Sequence, residues 1–442
     1  MKTYINKILL LSLIFISVTS CEVQEFSDLN NAEVDAFENN LNRGDLQDLV
    51  GGILYSSRLR LGIYFDDNGI IGREYYRFSA SDPRFTSDML GKGSLILDNN
   101  TFYITAPWGS RYRTVKNANL ILGFLENQDL SAQFTDQEIT ATKGFLKTFI
   151  GYELLLNLNL TYQNGIRVDV ADENNLGPFV SYDASLSAIR DFLEEGAIDL
   201  TAGGAEFPFI LSSGFNGFNT PATFLQANKA ISARVAAYQG DAAAALAFLD
   251  DSFLNLSGED LNTGIYYNFS LDQKDIVNPL FVSIDGITSA NSRVVEPSFV
   301  TDAEIGDNRL SKVVELDSPL SQDGLSGNYA VFRYTSLIDD IPIIRNEELI
   351  LLYAEANITV NPDEAVNALN IIRESAGLNP YTGPTDTESL IDEMLKQRRY
   401  SLYAEGHRWI DVRRYNRLDE LPIARADDDV FVQFPIPLTE NQ

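Results

Sequence analysis

The sequence predicts a mostly α-helical protein built from tetratricopeptide-like helical hairpins, with irregular loops and short β-strands inserted between them. Three observations support this fold class. Apolar residues recur every three or four positions over long stretches. Turn-forming sequences at 239–241 and 361–363 separate consecutive helical stretches. Alanines repeat where such helices would cross, and small side chains let paired helices approach closely.

The helical period predicts the elements in order along the chain. Predicted helices cover about 32–61, 108–125, 139–160, 185–200, 221–238, 242–253, 343–358, 363–376 and one long helix over 389–414. Two segments, 62–107 and 255–342, lack this period and are rich in turn-forming residues. Within them we predict short strands at 94–97, 101–105, 264–269, 292–295, 312–315 and 329–334.

The N-terminus has the pattern of an export signal. Two lysines precede an apolar run at 8–18, which is too short to span a bilayer comfortably. Small residues then lead to Cys21, the only cysteine of the chain. We therefore predict a lipoprotein signal peptide over 1–20 and a lipid anchor on Cys21. The alternative is an ordinary signal peptide in which this cysteine is incidental.

Composition restricts the partners. The chain has 33 basic and 63 acidic residues, a formal net charge of −30. Binding to nucleic acid or to an anionic membrane surface requires a surplus of Lys and Arg, so neither is expected, and membrane contact would occur through the lipid alone. A hydrophobic content of 45% is sufficient for a large core and excludes a disordered chain.

Charged residues interrupt the apolar face of two predicted C-terminal helices. Arg398 and Glu405 fall among apolar residues of 389–414, and a buried charge is costly unless it is paired. Arg345, Glu348 and Glu355 occupy a comparable face upstream. We predict that these five residues form structural ion pairs, because Arg binds carboxylates with planar, bidentate geometry. A catalytic Arg and carboxylate is the competing interpretation.

The same two segments carry a family resemblance. The runs "IIRNEELILLYAEANI", "AVNALNIIRESAGL" and "QRRYSLYAEGHRWIDVRRY", followed by "FPIPLTE", resemble the C-terminal signature of the SusD/RagB family of nutrient-uptake lipoproteins. The resemblance implies a single SusD-like unit over 21–442, with a SusD-like N-terminal part over about 21–200 and a RagB/SusD part over about 201–442. It also implies a lipoprotein on the extracellular side of the outer membrane, which captures an oligo- or polysaccharide and delivers it to a SusC-like TonB-dependent transporter.

Residues for catalysis or metal binding are scarce. His407 is the only histidine and lies within the signature, where we expect it to pack rather than to react. Transition-metal sites need clusters of His or Cys, so we predict no metal site and no cofactor. Acidic runs at 66–69 and 427–429 do not have the spacing of an EF-hand, and we expect solvated loops there. The protein is therefore predicted not to be an enzyme.

Aromatic and hydrogen-bonding side chains in the two irregular segments suit sugar recognition. The predicted ligand-binding residues are Arg73, Tyr75, Tyr76, Arg77, Phe78, Tyr266, Tyr267, Asp285, Asn291 and Tyr329. Three alternatives remain open: a binder of peptides, a pure adaptor that holds another protein, and a glycoside hydrolase, which needs only two suitably spaced carboxyl groups.

Overall fold

The computed structural model describes residue 37 and residues 41–441, and residues 42–441 belong to one compact unit. The predicted signal peptide, Cys21 and the start of the helix predicted over 32–61 lie outside the described residues. The mostly α-helical fold class is confirmed. No helix within the described part of the chain is both long enough and apolar enough to cross a membrane.

The helices follow one another as packed pairs. In chain order they are α1 (Arg43–Ser56), α2 (Leu61–Ile71), α3 (Phe102–Asn127), α4 (Asp136–Thr161), α5 (Tyr182–Ala202), α6 (Pro221–Tyr238), α7 (Ala242–Asp250), α8 (Ser298–Thr301), α9 (Asn346–Asn357), α10 (Pro362–Ser375), α11 (Thr387–Ser401) and α12 (Arg408–Arg414). The predicted hairpins are present as α6 with α7 and α9 with α10. Helix α4 packs between α3 and α5, and its last twenty residues are almost entirely buried.

The strands lie mostly within the two irregular segments. They are β1 (Tyr75–Ser79), β2 (Ile166–Arg167), β3 (Phe179–Val180), β4 (Gly264–Tyr267), β5 (Asn291–Val295), β6 (Val313–Gln322), β7 (Leu325–Val331) and β8 (Ile341–Arg345). One antiparallel sheet has the order β1-β5-β7-β6, and β4 pairs with β8. The sheet therefore joins the first irregular segment to the second.

Several predicted elements are wrong, and burial explains the first of these errors. Residues 62–107 were predicted to lack a helix, yet α2 occupies 61–71 and nearly all of its residues are buried. A helix that is covered on all sides shows no amphipathic period. The strand predicted at 101–105 is the first turn of α3, which begins at Phe102 instead of 108. Residues 94–97 form no strand, and 341–345 form β8 instead of the start of a helix.

The single long helix predicted over 389–414 is also wrong, because it is interrupted between α11 and α12. Ala404 and Gly406 adopt positive φ angles of 59° and 79°, which end a right-handed helix. The Glu74 carboxylate accepts a hydrogen bond from the backbone N–H of Ala404 at 3.0 Å. This contact with Glu74, which directly precedes β1 and is far from the turn in sequence, stabilises the turn.

Candidate functional site

Half of the predicted ligand-binding residues are buried. Arg73, Tyr75, Tyr76, Phe78 and Tyr267 are each at most 3% exposed. The Tyr75 hydroxyl, for example, donates to the Phe65 carbonyl at 3.0 Å, and the Arg73 guanidinium donates to the Asp429 carbonyl at 2.5 Å. A ligand role for these five residues stays a prediction that the observed packing does not favour.

The other five lie nearer the surface but do not form one patch. Asp285 and Asn291 are exposed, whereas Arg77, Tyr266 and Tyr329 are half-buried. Arg77 and Asn291 contact each other, with 2.8 Å between Nη2 and Oδ1. Of the ten predicted residues, only Arg77 lines the largest cleft described below.

That cleft encloses about 770 Å³ and lies between α2, α3, β1 and the loop that precedes β5. We call it the arginine cleft, because five arginines and two aspartates line it, a formal surplus of three positive charges. These residues are Arg58, Arg60, Arg77, Arg113, Arg293, Asp66 and Asp275. The surplus contrasts with the net charge of −30 on the whole chain.

Two of the arginines face each other across neighbouring strands. Arg77 on β1 is directly opposite Arg293 on β5, a like-charge pairing that destabilises a sheet unless it is compensated. Asp66 on α2 compensates it: Arg293 donates to both carboxylate oxygens, at 2.6 and 2.9 Å. Asp66 Oδ2 lies farther, at 3.7 Å, from Arg77 Nε. Burial and then Arg293 lower the pKa of Arg77. One carboxylate thus serves two guanidinium groups.

The remaining three arginines differ in their pairing. Arg58 pairs with Asp275 at 2.8 Å and donates to the Asn268 carbonyl at 2.6 Å. Burial by itself raises the pKa of Asp275, but the hydrogen bonds, first that from Arg58, outweigh it and the pKa is lowered. Arg60 and Arg113 are exposed, and within residues 42–441 neither side chain makes a hydrogen bond or an ion pair. These two guanidinium groups are free to meet a ligand.

The uncharged wall of the cleft offers an aromatic ring and apolar surface. Phe85 is half-buried, packs edge-on against Phe102 with 5.1 Å between ring centroids, and lies 5.9 Å from the Arg77 guanidinium. Ile63, Val277 and Pro279 add apolar surface, and Ser110 adds a hydroxyl. Such a mixture of apolar surface and a few polar groups is typical of sites for small organic ligands.

A second cleft of about 370 Å³ shares Arg113 with the first. Its lining includes Tyr112, Lys116, Arg167 and Leu176. Lys116 pairs with Glu173, and Arg167 pairs with Glu440. Arg113 therefore borders both clefts.

The residues predicted to form structural ion pairs are all buried and paired. Arg345 donates to Glu405 at 2.9 Å and also contacts Glu347. The other pairs are Arg234 with Glu348 at 2.6 Å, Arg398 with Asp411 at 2.7 Å and Arg414 with Glu355 at 2.7 Å. We call these four pairs the ion-pair frame. Burial raises the pKa of Glu405 and of Glu355, but their arginines outweigh it and lower both.

The histidine beside the frame is buried and uncharged. His407 is 9% exposed, and burial lowers its pKa to about 3, so it is neutral. Its Nε2 is 3.8 Å from Glu348, which is itself bound to Arg234. Within the described residues, no group of three His, Cys, Asp or Glu side chains could hold a metal ion.

The sequence did not identify most of the arginine cleft. Its charged residues come from α2, α3, β1, β5 and the segments next to them, which are far apart in sequence. One signal was available: Arg77 and Arg293 each lie at the centre of a short strand, "YYRFS" and "NSRVV", and most residues of both strands are buried. An unexplained charge within a buried strand is a candidate for function.

Comparisons with known proteins add to this geometry. Residues 331–435 match the model of the SusD family. A 130-residue segment is 35% identical to SusD-like protein P38 of Formosa agariphila, and this match spans 27% of the chain and 26% of that relative.

Solved structures resemble the fold over nearly its whole length. A SusD superfamily protein from Bacteroides vulgatus superposes with a TM-score of 0.69 at 16% identity, covering 91% of this chain and 97% of that one. Surface glycan-binding protein A from Bacteroides thetaiotaomicron superposes with a TM-score of 0.68 at 13% identity and the same coverage. At these identities the likeness concerns the fold.

Proposed function

We propose that the chain is a SusD-like protein that captures an oligosaccharide in the arginine cleft. The observation that carries the proposal is the cleft itself, which has the size of a typical ligand site and combines the Phe85 ring with fixed hydrogen-bond donors. Aromatic rings pack against the C–H faces of sugars, and guanidinium groups donate to sugar oxygens. A structural relative is named as a surface glycan-binding protein.

The function we propose is binding without catalysis. A glycosidase needs one carboxyl group with a raised pKa that can donate a proton. Asp66 accepts two hydrogen bonds from Arg293, and Asp275 is bound by Arg58 with a lowered pKa. Both carboxyl groups of the cleft are therefore bound by arginines, which disfavours a hydrolase.

We also propose that Cys21 carries a lipid that holds the protein on the outer face of the outer membrane, where it delivers its ligand to a SusC-like TonB-dependent transporter. The sequence pattern before Cys21 and the family support this step. Co-purification of the intact chain with an outer-membrane barrel, lost in Cys21→Ser, is the expected result. Recovery of the lipid-free variant as an unattached protein without a barrel partner fits the proposal, and an unlipidated native chain contradicts it.

Glycan binding is tested by calorimetry with neutral and charged oligosaccharides and with peptides. We expect binding to at least one oligosaccharide class and about a tenfold loss in Phe85→Ala, because stacking on an aromatic ring contributes about 1 kcal/mol or more. Phe248→Ala is the matched control, since Phe248 is also half-buried but lies outside both clefts. Binding of peptides alone would favour the peptide-capture alternative.

A further inference from the structure

The charges of the arginine cleft restrict its ligand further. Five guanidinium groups and two carboxylates line it, within a protein that has almost twice as many acidic as basic residues. A neutral sugar needs no such surplus. Concentrating positive charge in one cleft of an acidic protein costs self-repulsion, which an anionic ligand would relieve.

The arrangement of the paired arginines indicates the same ligand chemistry. Arg77 and Arg293 are opposed on adjacent strands and share Asp66, so one positive charge remains without its own carboxylate. Arg77 is half-buried at the cleft wall, and its charge therefore lies there. The only side-chain acceptor of its Nη2 within the described residues is the neutral amide of Asn291. An oxyanion of a ligand is a better acceptor for this guanidinium than an amide oxygen.

The unpaired arginines and a helix start add positive charge to the cleft. Arg60, just before α2, and Arg113 on α3 line the cleft and have no partner within residues 42–441. Helix α2 begins at Leu61 without a side-chain cap, and its first residues also line the cleft. The start of a helix carries a partial positive charge that attracts anions.

We propose that the arginine cleft recognises an oligosaccharide bearing oxyanion groups, either the carboxylates of uronic acids or sulfate esters. This inference rests on the proposed function and narrows it to one substrate class. Arg60 and Arg113 contact the charged groups directly, Arg77 supplies a third donor, and Phe85 packs against the sugar ring. Asp66 and Asp275 hold Arg293 and Arg58 in place and limit the surplus when the cleft is empty.

The experiment compares three sets of oligosaccharides by calorimetry on the full chain: uronate oligosaccharides, sulfated galactan oligosaccharides and neutral gluco-oligosaccharides. We expect one of the two charged sets to bind at least tenfold more tightly than the neutral set. We also expect this affinity to fall as ionic strength rises from about 0.05 to 0.5 M, because salt screens exposed charges. The two charged sets distinguish carboxylate from sulfate as the recognised group.

A variant and a matched control separate local from overall charge. Arg60→Gln/Arg113→Gln should weaken the charged oligosaccharide about tenfold or more and leave the melting temperature unchanged. Arg43→Gln/Lys143→Gln also removes two positive charges, from residues outside both clefts, and should leave affinity unchanged. Equal losses in both double variants would overturn the proposal, because overall charge would then explain them.

The remaining outcomes distinguish this inference from the proposed function. If neutral oligosaccharides bind as tightly as charged ones, and Arg60→Gln/Arg113→Gln has no effect, the oxyanion inference fails while glycan capture stands. If no oligosaccharide binds and an acidic peptide such as oligoglutamate does, both fail. Charged preference together with sensitivity to Arg60 and Arg113 supports both.

Discussion

The ion-pair frame and the arginine cleft use the same side chain in opposite ways. In the frame, each of four buried arginines has its own carboxylate, and the lone histidine beside them is neutral. In the cleft, five arginines share two carboxylates. Two of these arginines, Arg60 and Arg113, are exposed and have no partner within residues 42–441. Balanced charge in a dry interior fixes a fold, whereas unbalanced charge at a wet surface is available for a ligand.

The two regions also differ in how they are encoded. The frame lies in the segment that matches the SusD family, apart from Arg234 on α6. All residues that line the cleft lie outside that segment. The part of the chain that matches the family therefore carries the frame, and the proposed site is built from other parts.

The largest expected effect belongs to the frame. Arg345→Ala leaves the buried Glu405 carboxylate with Arg333 at 3.4 Å as its nearest remaining partner. Removing one member of a buried pair typically costs about 3–5 kcal/mol. We expect a loss of this size in the free energy of unfolding, measured by urea denaturation. The control is Arg43→Ala in an exposed pair with Glu138, where about 0–1 kcal/mol is expected. Similar losses in both variants would contradict the difference between the regions.

A smaller effect on stability depends on pH and comes from Glu74, which contacts the turn between α11 and α12. Burial raises the pKa of Glu74 to about 8, although Ala404 donates a hydrogen bond to its carboxylate. In the unfolded chain this group ionises near 4.5, so the folded state holds an extra proton between about pH 4.5 and 8. Stability from this group is therefore greatest below that window and is lost as the pH rises through it.

Glu74→Gln removes this loss, because its side chain cannot ionise. We expect the variant to gain about 1–3 kcal/mol on the native protein between pH 5 and pH 8, measured by denaturation at each pH. A constant difference across the window would show that Glu74 is ionised in the folded protein. Affinity for the ligand should be unaffected, since Glu74 does not line the arginine cleft.

The turn between α11 and α12 should respond to a single methyl group. Gly406 has a φ of 79°, and a Cβ there would lie 3.1 Å from Phe65 Cδ1. Gly406→Ala should cost about 1–2 kcal/mol in the free energy of unfolding, because an L-residue is strained in this region. Gly51→Ala is the control: no atom lies within 4 Å of its Cβ position on α1, and about 0.4–1 kcal/mol of stabilisation is expected. A loss at both positions would contradict this explanation.

The smallest effect on stability is expected in the cleft. Arg60 and Arg113 are exposed and unpaired within residues 42–441. Arg60→Gln/Arg113→Gln should change the free energy of unfolding by less than about 0.5 kcal/mol, as surface substitutions usually do. A loss above about 2 kcal/mol by urea denaturation would mean that these arginines support the fold.

Elements that depend on local sequence patterns were predicted well, and elements that depend on contacts between residues far apart in the chain were not. Helices with one apolar face, such as α5 and α10, were predicted within a few residues. Helix α2 was missed because it is buried all round, and the turn after α11 was missed because it depends on Glu74, 330 residues earlier. The charges of the frame were recognisable because they interrupt an apolar helical face.

The candidate site was harder to predict, because aromatic content does not distinguish core from ligand contact. Tyr75, Tyr76 and Phe78 support the core instead of lining a cleft. Arg60 and Arg113 lie on exposed positions of different helical segments, where an arginine is unremarkable until the fold brings the two to one cavity. Only Arg77 was identified, through its place in an aromatic run.

The most direct test of the account is hydrogen–deuterium exchange of the full chain with and without a saturating oligosaccharide that binds it. Recognition at the arginine cleft predicts slower exchange on ligand binding in peptides covering 58–63 and 275–279, and unchanged exchange over 345–357 and 398–414. Protection confined to the ion-pair frame, with no change at the cleft, would contradict the assignment of the site.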